Sequence, residues 1–152
     1  MIDIEKLQRQ KGRLIDSILD EVFAGSVPNL HDAIDYHMST GGKRLRPLLA
    51  IMAYEALGGK DDKIIPFAAA CEVLHNWLLV HDDIEDSDRV RRDQPALWVK
   101  YGLAHGINVG DYMAHKVFEL ILKSKDFGVD NDSVFRLVKT MNDTALRTAE
   151  GQ

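Results

Sequence analysis

The sequence predicts an all-α fold, a bundle of packed antiparallel helices. Apolar residues recur at three- and four-residue spacing along most of the 152-residue chain, which is typical of amphipathic helices. Only four prolines and eleven glycines interrupt this pattern, and convincing strand alternation is missing. We therefore expect a single helical domain over residues 1–152, large enough to bury a core of its own.

Glycines, prolines and charged runs set the expected helix ends. The pair Gly41-Gly42 predicts a turn, and Pro47 suits the first turn of the helix that follows. Residues 87–94 are charged and predict a loop. The approximate helices expected are, in order, Ile4–Phe23, Leu30–Met38, Pro47 to Gly58, Lys63–Asp86, a short one starting near Pro95, Ile107–Lys123, and Ser133 to the C-terminus.

Composition argues against several classes of protein. The chain has 19 basic and 24 acidic residues, and its net charge of −5 argues against general nucleic-acid binding. Cys71, the one cysteine, excludes an intrachain disulfide and is expected to be a small buried residue in a reducing compartment. No signal peptide is visible, and no uncharged stretch approaches the ~20 residues of a membrane helix. We expect a cytoplasmic protein without a membrane span.

Three aspartates, Asp82, Asp83 and Asp86, stand at the end of the fourth expected helix. The i, i+4 spacing of Asp82 and Asp86 places their carboxylates on one helix face. Negative charge at a helix C-terminus opposes the helix dipole, which favours cations there. Mg²⁺ prefers such oxygen ligands and commonly binds one or two carboxylates together with substrate phosphates. The cluster predicts Mg²⁺-bridged binding of a diphosphate, and a solvated helix end is the simpler alternative.

The same helix carries further polar residues upstream. Glu72 precedes His75 by three positions, and Leu79 lies four after His75 and three before Asp82. These spacings align an imidazole and several carboxylates along one stripe of the helix. We therefore expect Glu72 and His75 on the same side as the aspartates.

Two basic segments could bind the anion. The segment from Gly41 to Pro47 holds three cations ahead of a helix start, where backbone N–H groups attract phosphate, although a solvated turn is an equal alternative. Arg91 and Arg92 can grip phosphate oxygens bidentately, or they can pair with the aspartates just upstream.

A second glycine-containing pair, Gly110-Asp111, interrupts another helical pattern. A glycine inside a helix costs about 1 kcal/mol relative to alanine, which indicates a packing reason for Gly110. The histidines His81, His105 and His115 show no metal-ligand spacing and are interpreted as structural or solvated.

This ordered combination resembles the N-terminal half of trans-prenyl diphosphate synthases, in the polyprenyl synthetase family. Four segments match in order between about Leu30 and Gln152: Gly-Gly-Lys-Arg-x-Arg-Pro at 41–47, Glu-x-x-His at 72–75, Asp-Asp-x-x-Asp with its trailing Arg-Arg at 82–92, and Gly-Asp at 110–111. The resemblance implies the isoprenoid synthase fold. It also implies condensation of isopentenyl diphosphate with an allylic diphosphate, using Mg²⁺ as cofactor.

Site residues follow from the resemblance position by position. The residues at positions that bind the diphosphate of isopentenyl diphosphate are Lys43, Arg46, His75 and Arg92. The residues at positions that serve the allylic diphosphate are Asp82 and Asp86 as principal Mg²⁺ ligands, Asp83 in support, and Arg91 as a direct contact.

The resemblance also bears on product length and reveals two local departures. Trp77 and Leu78 lie five and four positions before Asp82, where the family sets chain length, and an aromatic residue at the fifth position resembles synthases with farnesyl- or geranylgeranyl-length products. Helix geometry aims Leu78 at the aspartate face better than Trp77, so Trp77 could instead pack between helices.

Asp93 replaces a glycine that usually follows the Arg-Arg pair, and Trp98 replaces a common histidine.

Length is the main departure. Family members are much longer and carry a second aspartate-rich motif, whereas this sequence contains one. Three interpretations stay open: a part of a full synthase, a short protein that self-associates, or a non-catalytic regulatory or diphosphate-binding subunit of a larger synthase. We expect the isolated monomer to be poorly active or inactive.

Overall fold

The computed structural model describes residues 4–42 and 44–152, with side chains from residue 11 onward. These residues form helices and one short β-ribbon. The elements, in chain order, are α1 (Ile4–Phe23), α2 (Leu30–Ser39), α3 (Leu45–Ala56), α4 (Ile65–Glu85), β1 (Val90–Arg91), β2 (Gln94–Pro95), α5 (Leu97–Tyr101), α6 (Leu103–Lys123) and α7 (Asn131–Gly151).

Helix α4 is the centre of the bundle. It packs most extensively against α6 and also contacts α1 and α3. Small residues at positions 68–70 of α4 are fully buried, and their short side chains allow neighbouring helices to approach closely. Val109, Met113 and Val117 of α6 are fully buried in the same core. The strongly apolar composition of α4 is thus explained by contact on several sides.

Helix directions partly match the predicted antiparallel bundle. Helix α6 runs antiparallel to α4, since the end of α4 hydrogen-bonds to the first turns of α6. Helix α7 lies beside α4 and runs in the same direction. Gln152 at its end reaches Asp82 with an Nε2–Oδ1 distance of 3.4 Å, and Leu137 near its start lines a cleft with Phe67.

The predicted all-α fold is confirmed, with corrections to the segment between α4 and α6. The expected charged loop contains the ribbon β1–β2. Its strands have only two residues each, which is too short to produce a periodic pattern in the sequence. Pro95 belongs to this ribbon, so the short helix starts at Leu97. Helix α6 starts at Leu103 rather than Ile107, directly after Gly102, whose positive φ of 95° separates it from α5. Over the described ranges, no helix combines the length and apolarity needed to cross a membrane.

The ribbon is a hairpin with a two-residue turn. Strands β1 and β2 pair antiparallel, which leaves Arg92 and Asp93 as the turn, with φ of 52° and 62°. Positive φ at both central residues matches the strand twist, and aspartate tolerates this conformation better than most residues. Asp93 can therefore replace the glycine that the resemblance leads one to expect. Trp98 braces the hairpin by donating its Nε1–H to the carbonyl of Asp88, 2.8 Å away.

Candidate active site

The three aspartates at the end of α4 have different surroundings. The Asp83 side chain is only 1% exposed and pairs with Arg91, whose Nη2 lies 2.5 Å from Oδ1. The Asp82 side chain remains 37% exposed, with Oδ2 3.6 Å from the same Arg91 nitrogen. Asp86 is exposed at the helix C-cap. The i, i+4 pair Asp82 and Asp86 is thus accessible to a ligand, whereas Asp83 faces the hairpin.

The buried Asp83 anchors Arg91. Arg91 also donates its Nε–H to Asp83 Oδ1 at 2.6 Å, and this hydrogen bond raises the pKa of the guanidinium. The other oxygen of Asp83 is buried and has no hydrogen-bond partner among the residues described. A buried carboxylate with a bound arginine fits the supporting role implied by the resemblance better than direct metal ligation.

The arrangement bears on metal binding. Within residues 11–42 and 44–152, no three histidine, cysteine or acidic side chains converge on one point. The hard oxygens of Asp82 and Asp86 nevertheless suit Mg²⁺, which readily completes its shell with water and substrate phosphate. The donor set therefore fits a cation that binds together with a diphosphate rather than alone.

The basic turn before α3 is anchored in the interior. Lys43 lies outside the described residues. Arg44 adopts the left-handed conformation at the N-cap of α3, with φ of 47°, and its Nη1 lies 3.0 Å from Oε1 of Glu72. The Glu72 residue is only 3% exposed. Glu72 is therefore buried and neutralised by Arg44, a pairing that spacing along α4 alone did not predict.

A buried hydrogen-bond network extends from this pair to α2. Asn76 donates its amide to Oε1 of Glu72 at 3.2 Å, and its Oδ1 lies 3.1 Å from Nε2 of His37. Burial lowers the pKa of His37 to about 4, and repulsion from Arg92 acts in the same direction. His37 is therefore neutral near pH 7 and donates from Nε2 to Asn76. Sequence reasoning missed His37 and Asn76, although the i, i+4 spacing of Glu72 and Asn76 on an apolar helix was a usable signal.

Cations from three segments meet beside this network. Arg92, at the hairpin turn, donates to the carbonyl of Gly41 and to Oγ1 of Thr40. Partial burial lowers the pKa of His75 on α4, and repulsion from Arg46 and Arg92 lowers it further. Arg46 and Arg92 thus both act on the charge of His75. Basic side chains grouped near a helix start suit an anion, which would relieve the repulsion between them.

A cleft of about 380 Å³ lies in the groove between α4 and α7 and includes Asp82 in its wall. Trp77, Leu78 and Asp82 contribute to its α4 wall, and Thr148 and Gln152 to its α7 wall. Trp77 and Leu78 also pack against the core. The helix geometry predicts that Leu78 faces the aspartates better than Trp77 does, but both side chains line the cleft. Trp77 also packs between helices, as the alternative interpretation predicts.

The all-α fold is that of isoprenoid synthases, the class to which its structural neighbours belong. The chain belongs to the polyprenyl synthetase family, whose sequence model matches residues 27–152.

Individual relatives show the same likeness. A geranylgeranyl diphosphate synthase of Methanosarcina mazei is 40% identical over 142 residues, covering 91% of this chain and 42% of the relative. A geranylfarnesyl diphosphate synthase of Aeropyrum pernix is 34% identical over 141 residues, covering 91% and 44%. The crystal structure of a geranylgeranyl pyrophosphate synthetase from Pyrococcus horikoshii superimposes with a TM-score of 0.91 at 31% identity, covering 98% and 45%. The chain thus spans less than half the length of these relatives.

Proposed function

We propose that the chain supplies the first aspartate motif and the isopentenyl diphosphate site of a trans-prenyltransferase. The enzyme would condense isopentenyl diphosphate with an allylic diphosphate to a farnesyl- or geranylgeranyl-type product. One observation carries the proposal: an accessible carboxylate pair and a cluster of cations, from segments far apart in sequence, lie at the same end of the bundle.

On the allylic side, Asp82 and Asp86 would hold Mg²⁺, which when bound neutralises the diphosphate leaving group. Arg91 would contact the same diphosphate from its anchor on Asp83. Because Asp83 fixes one edge of the guanidinium, Arg91 would need little reorganisation to meet the ligand.

On the nucleophile side, Arg46, His75 and Arg92 would bind the diphosphate of isopentenyl diphosphate, with Lys43 joining them by resemblance alone. A bound diphosphate would relieve the repulsion among these cations and raise the pKa of His75 from its lowered value. The apolar part of the cleft beside Trp77 and Leu78 would receive the hydrocarbon tail and exclude water from the reactive carbocation.

The proposed catalyst is larger than the 152 residues of this sequence. The sequence holds a single aspartate-rich motif and spans less than half of its relatives, so a further helical segment or a second copy would supply the opposite wall of the site. Turnover by an isolated monomer is expected to be low or undetectable.

Ligand binding tests the proposal without requiring turnover. Titration calorimetry with farnesyl thiolodiphosphate, an unreactive allylic analogue, should show binding that depends on Mg²⁺. Asp82→Ala should abolish this Mg²⁺-dependent binding, whereas Asp126→Ala, which removes an exposed acid after the end of α6, should leave it unchanged. Equal binding with and without Mg²⁺, or none at all, would contradict the proposal.

A condensation assay with radiolabelled isopentenyl diphosphate, paired with light scattering, tests the need for assembly. Product should form only in fractions larger than a monomer or after a complementary second-half segment is added. Robust turnover by a verified monomer would disprove the assembly requirement. Mg²⁺-dependent binding without turnover in any assembly would favour the non-catalytic subunit instead.

A further inference from the structure

We infer that His81 is a positioning residue that holds the Trp77 indole in the cleft between α4 and α7, where the indole limits how deep a hydrocarbon tail can enter. The limit on the tail rests on the proposed function, whereas the fixing of the indole is a property of the fold alone.

The first contact links the two rings along α4. The Nε1–H of Trp77 donates to Nδ1 of His81 at 3.3 Å, one helical turn further on. The ring planes are nearly perpendicular, at 80°, with centroids 6.3 Å apart. Because Nδ1 accepts this hydrogen bond, the proton of a neutral His81 must lie on Nε2.

The opposite side of the imidazole favours the same tautomer. His81 Nε2 lies 3.3 Å from the carbonyl oxygen of Ile107 on α6, which can only accept. Asp111 Oδ1 is 3.7 Å from the same nitrogen. Both ring nitrogens are therefore satisfied in one orientation, and the ring links Trp77 on α4 to the backbone of α6.

Gly110 provides the space that the imidazole occupies. A Cβ atom at position 110 would lie 2.1 Å from Nε2 of His81, far inside van der Waals contact. Only glycine lets the ring approach α6 closely enough to reach the Ile107 carbonyl. This is the packing reason that the helix-interrupting glycine indicated in the sequence.

The fixed indole stands at a defined depth. Trp77 precedes Asp82 by five residues, which corresponds to about 7.5 Å along a helix. Trp77 and Leu78 line the same cleft as Asp82, so a tail that starts at an aspartate-bound diphosphate meets the indole within that distance. Without its acceptor, the indole can turn toward solvent and the cleft deepens.

Fluorescence tests the fixing of the indole. The chain has two tryptophans, so Trp98→Phe leaves Trp77 as the single reporter. In this background, His81→Phe removes the acceptor but keeps a ring, and His81→Asn restores an acceptor at the position of Nδ1. We expect the acrylamide quenching constant to rise severalfold in His81→Phe and to return toward the original value in His81→Asn, since one hydrogen bond shifts a population by about fivefold.

His115→Phe, which replaces an exposed histidine on α6, is the matched control and should change nothing. Helical circular dichroism checks that each variant folds. Equal quenching in His81→Phe, His81→Asn and the parent chain would overturn the inference.

The relative affinity for tails of different length tests whether the indole limits how deep a tail can enter the cleft. Calorimetry would compare thiolodiphosphates that carry geranyl, farnesyl and geranylgeranyl tails. His81→Phe should raise the affinity for the longest tail relative to the shortest by about tenfold, because the deeper cleft buries additional methylene groups. His81→Asn should keep the original ratio.

The outcomes separate the two proposals. If no analogue binds any variant, the proposed function fails together with the tail limit, while quenching still decides whether His81 fixes Trp77. If analogues bind with an unchanged tail ratio in His81→Phe, the depth-limiting role is overturned and the proposed function stands.

Discussion

Replacing Arg44 by methionine removes the buried ion pair beneath the basic turn, together with the contact of 3.4 Å between Arg44 Nε and the exposed Asp16 Oδ1. Glu72 is 3% exposed, and Arg44 Nη1 lies 3.0 Å from its Oε1. The substitution keeps an unbranched side chain but removes the cation that hydrogen-bonds the carboxylate. Asn76 remains as its one neutral donor, at 3.2 Å.

The expected loss is about 3 kcal/mol in the free energy of unfolding. Removing one partner of a buried ion pair commonly costs roughly 3–5 kcal/mol, because a charge is left desolvated and unpaired. The lower end applies here, since the Arg44 side chain is 18% exposed and Asn76 still donates to Glu72. For a chain of this length, the loss corresponds to a fall of about 6–12 °C in Tm.

Urea unfolding followed by helical circular dichroism measures the effect. Adding Glu72→Gln to Arg44→Met removes the unpaired charge and should restore about 2 kcal/mol, a coupling that a double-mutant cycle reports directly. Lys139→Met, which breaks the exposed Lys139–Asp143 pair, is the control and should cost less than about 0.5 kcal/mol. A loss below about 1 kcal/mol for Arg44→Met, with no coupling to Glu72, would show that Glu72 is hydrated and refute the reasoning.

Three further predictions concern stability. Arg91→Met should cost about 3 kcal/mol by leaving Asp83 buried and unpaired, and adding Asp83→Asn should recover most of it in urea unfolding. The folded-state pKa of His37 is lowered to about 4 from 6.5, so the unfolded state binds the proton first. The free energy of unfolding should therefore fall by up to about 3 kcal/mol as pH drops from about 6.5 to 4. His37→Gln should lack this pH dependence, and an identical dependence in both proteins would contradict the lowered pKa of His37. Gly110→Ala should cost about 1–3 kcal/mol through overpacking. Gly12→Ala, with no atom within 4 Å of the added methyl, should stabilise α1. Equal changes in Tm for the two variants would exclude the steric argument.

The elements that were predictable depend on local periodicity. Helices α1, α4 and α7 follow from apolar spacing, and the i, i+4 relation of Asp82 and Asp86 needs only the geometry of one helix. The hairpin was missed because two-residue strands carry no periodic signal, and its turn uses Asp93 where glycine was the expected residue. The burial and pairing of Glu72 were not predicted because its partner Arg44 lies 28 positions away in the chain.

By itself, the sequence determined which residue types cluster: the carboxylates at the end of α4, the basic turn before α3 and the arginine pair after the aspartates. These features depend on local spacing, because the helical repeat places residues three or four positions apart on the same helix face. Only the tertiary structure decided which charges are paired and which stay accessible. Arg91 binds Asp83 and leaves Asp82 exposed, and His81 reaches Trp77 and α6 because Gly110 leaves room. The physical reason is that burial sets the energy of a charge or polar group, and burial depends on helices brought together from distant parts of the chain.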